Sequence, residues 1–337
     1  MARIAYMLLL AAAAGSGGQS VPSEDEMRRA IAAHPRDPRP QTEYGIFLMR
    51  QNRAGEAIPR FQAALDLDPR SADAVYNLGL ALLHNNQAQA ALDALDKHPA
   101  ETADYFALRG IVLNALNREP EAVKPLRRAV ALDPNNPDSL YDLAVTLAKT
   151  GADAEASALL NQGRRRFPKV AKIHAASGMM LYAAGQNDQA VQAYEEAVRL
   201  EPDAADLFAA LGDAYDATGK LAKAEGAYAR SLRIDPANVE CQVKYGRNQI
   251  KLQNAGKAEA AFRRALALDA HNADAHFELG KLANASANTA EAISHFEQAV
   301  VANPSLKAAW YQLSLSYRRA GQEEKSRAAK EKFQKLP

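Results

Sequence analysis

The chain has 337 residues, of which 48% are hydrophobic and 7% aromatic, and its 41 basic residues against 40 acidic ones leave a formal net charge of +1. That balance excludes a bulk electrostatic attraction to nucleic acid, which needs clustered Lys and Arg. The one cysteine, Cys241, excludes an internal disulfide and reads as a small apolar residue of a helix.

Residues 1–20, MARIAYMLLLAAAAGSGGQS, carry a positive start at Arg3, an apolar run from Ile4 to Ala14 and small residues suited to cleavage. This is the pattern of a secretory signal peptide, so the protein is expected to be exported, to a periplasm or beyond the cell. The apolar run is shorter than the roughly twenty residues that span a bilayer. Membrane contact is expected only if the segment stays uncleaved. Next, Ser23 and Glu26 form a capping-box pattern that opens a helix running to His34-Pro35. Residues 23–37 are therefore expected to be the second helix of a half unit, capping the first full unit.

From residue 38 onward the chain repeats itself. In Ala205–Asn238, the residues Phe208, Leu211, Gly212 and Tyr215 share one helical face, and Ala224, Tyr228 and Ser231 share another. Gly219 sits between them where a left-handed cap is needed, and Asp235-Pro236 ends the second helix. The unit is a helix hairpin that must stack on copies of itself to bury its apolar faces. Starts at 38, 72, 103, 137, 171, 205, 239, 273 and 307 align nine units, every step being 34 residues except one of 31. The eighth position reads Gly45, Gly79, Gly110, Ala144, Gly178, Gly212, Gly246, Gly280 and Ser314, and the twentieth is Ala in all but the last. The twenty-fourth is bulky: Phe61, Leu95, Leu126, Leu160, Tyr194, Tyr228, Phe262 and Phe296. Prolines 69, 134, 168, 202, 236 and 304 close the second helices. The short unit, 72–102, loses most of a turn from its second helix, and a kink or hinge is expected there. The last second helix, within 323–337, places Lys330 at the bulky position, as suits a polar end cap.

These positions resemble the signature of the tetratricopeptide repeat (TPR) over about residues 38–322. Departures are local: Ala270 stands for a proline, Ser231 for a small apolar residue and Gln249 for the usual Tyr. The resemblance implies an all-α, right-handed α-solenoid of helix-turn-helix hairpins that binds proteins or peptides. It also implies a concave face made by positions 2, 5, 6, 9 and 12 of the first helices. Repeats two to five place Tyr76, Leu80, Leu83, Leu108, Ile111, Tyr141, Val145, Met179 and Tyr182 there. Repeats six to eight place Asp206, Asp213, Asp216, Lys244, Arg247, Glu278 and Lys281 there. Exposed apolar patches mark contacts, so the expected function is a non-enzymatic scaffold that docks an extended or helical apolar segment in this groove. Tyr76, Leu80, Leu83, Leu108, Ile111, Tyr141, Val145, Met179, Tyr182, Asp213, Lys244 and Arg247 are its candidate partner-binding residues. A membrane-associated assembly factor for an envelope complex is the alternative. The exposed ends of a stack also admit self-association.

Two specialised TPR uses are not expected. Of the chaperone-carboxylate clamp positions only Asn77 matches, since Thr42, Ile46, Asp104 and Leu108 fill the others, and no asparagine ladder recurs. No phosphate loop, zinc-protease helix or nucleophile elbow is present, so no catalytic residue, cofactor or metal is expected. His174 and His276 share the fourth position of their units and read as structural histidines, and His271 and His295 add no ligand spacing. Arg164–Arg166 suits a helix C-terminus, and the acidic second positions, such as Asp73, Asp104 and Asp138, suit helix N-termini.

Overall fold

The computed structural model describes residues 23–336, and the segment expected as a signal, 1–20, lies outside them. Among the described residues there are nineteen α-helices and no strand. The chain divides into two compact units, one ending at Arg166 and the other starting at Phe167. The first holds α1 (Glu24–Ala33), α2 (Arg39–Arg50), α3 (Ala54–Leu67), α4 (Ala72–His84), α5 (Ala88–Lys97), α6 (Ala103–Ala115), α7 (Glu119–Leu132), α8 (Pro137–Lys149) and α9 (Asp153–Arg166). The second opens with α10 (Ala171–Ala183), α11 (Asn187–Leu200), α12 (Ala205–Ala217), α13 (Leu221–Ile234) and α14 (Val239–Lys251). It closes with α15 (Ala255–Leu268), α16 (Ala273–Ala285), α17 (Thr289–Ala302), α18 (Lys307–Arg319) and α19 (Glu323–Lys335). Within each unit the helices pair as hairpins, and each second helix also packs on the first helix of the next hairpin. The architecture is an all-α solenoid.

Local chemistry sets where each helix begins and ends. Ser71, Thr102, Asn136, Asn238 and Asn272 accept hydrogen bonds from backbone N–H groups in the first turns of α4, α6, α8, α14 and α16. Such side chains satisfy donors that have no partner inside the helix. At the other ends, the prolines at 69, 134, 168, 202, 236 and 304 each stand two residues past a helix terminus. The hairpin turn needs one residue with positive φ, and it falls at the fifteenth position every time. Gly151, Gly185, Gly219 and Gly321 supply it without strain, Asn52, Asn86 and Asn117 at small cost, but Gln253 and Ala287 hold φ of 61° and 58°.

The hairpins close on a ring or leucine set against backbone. A Cβ added to Gly246 would lie 2.5 Å from Phe262, and one added to Gly45, Gly212 or Gly280 would lie 2.5–2.6 Å from Phe61, Tyr228 or Phe296. Those side chains are almost fully buried. Where the eighth position is Ala144, the facing knob is the smaller Leu160.

The short repeat packs differently. Its second helix, α5, has ten residues where the other complete repeats have fourteen. Leu108 of α6 comes to within 2.8 Å of a Cβ placed on Gly79, closer than the local knob Leu95 at 3.6 Å. Tyr105 then donates its hydroxyl to the Leu95 carbonyl (2.9 Å), and Arg109 pairs with Asp96. The short repeat lies inside the first unit, and the division of the chain falls after α9.

The N-terminal helix is tied down by polar groups. Ser23 and Glu26 make the reciprocal capping box. Glu24 accepts from Tyr44 Oη (2.6 Å), Arg53 Nη1 (2.9 Å) and Arg28 Nη2 (2.8 Å), which hold its carboxyl down at about 2. At the opposite end α19 buries only Ala329, and Phe333 stacks obliquely on Tyr311.

Ala287→Gly is expected to raise stability by about 0.5–1 kcal/mol in urea unfolding, by relieving left-handed strain, whereas Gly219→Ala is expected to lower it by about 1 kcal/mol. Gly246→Ala is expected to cost about 1–3 kcal/mol by overpacking. Adding Phe262→Leu is expected to cost less than the sum of the two single changes, because Ala144 and Leu160 show that combination packed. Additive losses would mean that the ring does not set the residue opposite it.

Candidate partner-binding face

In each hairpin the first helix turns its fourth, eighth and eleventh positions inward, which leaves the second, fifth, sixth, ninth and twelfth for its open face. In the first unit much of that face is apolar. Tyr76, Leu80 and Leu83 of α4 and Tyr141 and Val145 of α8 are half-buried, and Ile111 of α6 is 36% exposed. Burial pushes the Tyr76 phenol up to about 12, helped by the carboxylates of Asp104 and Asp138. Burial likewise raises the Tyr141 phenol. Leu108 is a correction: it is 1% exposed and fills the space at Gly79, so it belongs to the core and not to a groove. The bare backbone of Gly79 on the preceding first helix is what admits it.

The remaining candidates lie in the second unit. Met179 and Tyr182 stand on α10 at 50% and 41% exposure. The charged positions are joined to one another across adjacent hairpins. Lys244 bonds Asp213 (2.8 Å) and Glu240 (2.7 Å), and Arg247 bonds Glu278 (2.9 Å) and Asp274 (2.8 Å). Lys281 completes the set at Glu278 (2.7 Å), whose side chain is only 6% exposed, and Lys251 pairs with Asp216. Asp213 also accepts the hydroxyl of the knob Tyr228 at 2.8 Å. Burial, with this carboxylate beside it, raises the Tyr228 phenol above its ordinary range. These charges act first as fasteners between repeats.

A recess of about 410 Å³ lies elsewhere, on α9, lined by Ala158, Asn161, Gln162, Arg165 and Arg166. Among the described residues no group of three or more His, Cys, Asp or Glu is placed to hold a metal ion, and no helix is long and apolar enough to cross a membrane.

Comparison with known families agrees with this geometry. The tetratricopeptide repeat matches residues 45–106 and 87–137, and again 113–179, the TPR repeat matches 178–219, and the cilia and flagella-associated protein 70 middle TPR-like domain matches 208–337. The chain is a tetratricopeptide repeat protein. No curated protein matches it. Among solved structures, the TPR chain resembles the APC/C hetero-tetramer Cut9–Hcn1 at 18% identity and a TM-score of 0.57, over 88% of this chain and 60% of that one. It resembles the C-terminal part of a TPR repeat-containing protein from Cytophaga hutchinsonii at 16% identity and 0.57, over 71% and 99%. Pseudomonas aeruginosa pilF matches at 21% identity and 0.54, over 66% and 97%. These likenesses concern the fold.

The TPR chain also has a polar fastening that its period only partly discloses. Ring nitrogens at the fourth position reach the carbonyl six residues back: His174 to Pro168 (3.1 Å), His276 to Ala270 (3.1 Å) and Trp310 to Pro304 (2.9 Å). A carbonyl only accepts, so Nε2 of each histidine carries the proton. The other ring nitrogen of His276 shares a hydrogen bond with His295 Nδ1 at 3.0 Å. Burial and the neighbouring His276 push the His295 imidazole below its ordinary value.

The sign of the resulting pH dependence is fixed. The unfolded chain takes up a proton at His295 as pH falls through about 6.5, while the folded chain resists it. The contribution is full above that value and is lost as pH drops through it towards the lower folded value. Thermal unfolding is expected to shift down between pH 7.5 and 5.5, with a smaller shift in His295→Gln. Identical pH profiles for the two proteins would remove His295 as the cause.

Proposed function

We propose that this TPR protein is a non-enzymatic scaffold that docks an apolar segment of a partner protein on the first-helix face of its first unit. The observation that carries the reading is the run of large apolar side chains there, from Tyr76 and Leu80 through Ile111 to Tyr141 and Val145, left half-buried or exposed on a face that otherwise meets water. Leaving such a patch to solvent forfeits roughly 25 cal/mol for each Å² that a partner would cover. Aromatic side chains are the groups that interfaces favour. In the second unit Met179 and Tyr182 offer a smaller apolar step, beside charges already committed to each other.

The N-terminal pattern from Arg3 to Ala14 supports a place of action outside the cytoplasm. N-terminal sequencing of the protein recovered from an envelope or secreted fraction is expected to begin near residue 21. A start at Met1 in that fraction would favour an anchored assembly factor instead.

Ile111→Glu and Tyr141→Glu are expected to abolish capture of a protein that the unaltered chain holds, each with helical content unchanged by circular dichroism. Both side chains are at least partly open to solvent, so the cost to folding stays small. Undiminished capture by both folded variants would remove the first-unit face as the docking site.

A further inference from the structure

The apolar face of the first unit has an acidic border. The second and sixth positions of α2, α4, α6 and α8 hold Glu43, Asp73, Asp104, Asp138 and Asp142. The one cation at those positions, Arg39, is held by Asp37 at 2.6 Å. Among the described residues Glu43, Asp73 and Asp104 join no salt bridge. Of the four equivalent acids of the second unit three are engaged, Glu240 by Lys244, Asp274 by Arg247, and Glu278 by Arg247 and Lys281, and Asp206 joins no salt bridge among the described residues. Acidic and apolar groups also share the same ground, since Asp104 of α6 and Asp138 of α8 both act on the phenol of Tyr76 of α4. Three successive hairpins thus bring carboxylates and rings to one surface.

Spacing gives the second half of the argument. The first helices α2, α4, α6 and α8 touch in succession, and packed helices lie roughly 8–10 Å apart. An extended chain with three residues per turn rises about 3.1 Å per residue, so every third side chain points the same way at intervals of about 9 Å. One residue in three would therefore meet one hairpin's carboxylate, and those between would meet the rings and branched side chains.

Resting on the docking face proposed above, we infer that its occupant is an extended segment, basic as well as apolar, with Lys or Arg three residues apart at Asp73 and Asp104. The large apolar side chains of that segment sit on Tyr76, Leu80, Ile111, Tyr141 and Val145. An acidic segment is rejected, because it would bring its charges against the carboxylates of Glu43, Asp73 and Asp104. Each Asp lies in the first turn of a helix, where the dipole offsets part of its charge. Discrimination therefore comes from the row rather than from any single member.

The test is fluorescence anisotropy with the full chain and three labelled peptides of about a dozen residues. One carries Lys at every third position with Leu and Phe between, one replaces Lys by Glu, and one gathers the same lysines at one end. The periodic Lys peptide is expected to bind at least about tenfold more tightly than the Glu peptide and to weaken as salt is raised from about 0.05 to 0.5 M. Asp73→Asn and Asp104→Asn are each expected to weaken it roughly two- to fivefold. The peptide exchange uses the unaltered protein, so it does not depend on how the variants fold. Equal binding of Lys and Glu peptides, both lost in Tyr141→Glu, would overturn the charge inference and leave the apolar face standing. Equal binding of the periodic and gathered Lys peptides would overturn the spacing. Binding of the Lys peptide undiminished in Tyr141→Glu would sink the docking face and the inference together, and binding of none of the peptides would overturn the inference.

Discussion

A large side chain of the second helix lying against the bare backbone of the first is the contact on which most of the hairpins depend. The ring of Phe262 occupies the space where Gly246 would carry a Cβ, and Phe61, Tyr228 and Phe296 do the same at Gly45, Gly212 and Gly280. That contact fixes the rotation of the first helix about its axis. Once the eighth position faces inward, the fourth and eleventh join it at helical spacing, and the second, fifth, sixth and ninth are turned outward. The face offered to a partner is thus a consequence of where the knob sits. No central core is needed, because each hairpin is stabilised by its own closure and by the next one.

With the backbone arrangement repeated, the two units differ in what they hang on it. In the second, a carboxylate or cation on the open face meets its opposite on the adjacent hairpin, as in Lys244 to Asp213 and Arg247 to Glu278. Partly exposed pairs of this kind contribute about 0–1 kcal/mol each, but they set hairpin against hairpin and keep a nearly buried group such as Glu278 from standing alone. In the first unit the same positions are largely apolar, and the acids Glu43, Asp73 and Asp104 join no salt bridge among the described residues. There the face is left for something outside the chain.

Much of the fold is legible because the period repeats itself. Nine starts at a nearly constant step place every hairpin, and the glycine at the eighth position with the bulky residue at the twenty-fourth already implies their contact. The end of most second helices is written in proline. The open face is less legible, for two physical reasons. Whether a sixth-position residue is open depends on what the neighbouring hairpin sets against it, and Leu108 is covered where the preceding first helix carries Gly79. The charges of the second unit look like a recognition surface until their partners are placed. One clue lies in the sequence: a knob that is Tyr rather than Phe carries a hydroxyl that needs a partner when buried, and Tyr228 finds it in Asp213.

The short repeat links the packing of the first unit to its surface. Beside the shortened α5, Leu108 is sealed against Gly79, and Tyr105 and Arg109 are recruited to the end of α5. On the same helix Asp104 acts on Tyr76, and Ile111 reaches the surface. The first helix that follows the irregular repeat thus sets a sealed core residue, Leu108, between a charged edge at Asp104 and an apolar floor at Ile111.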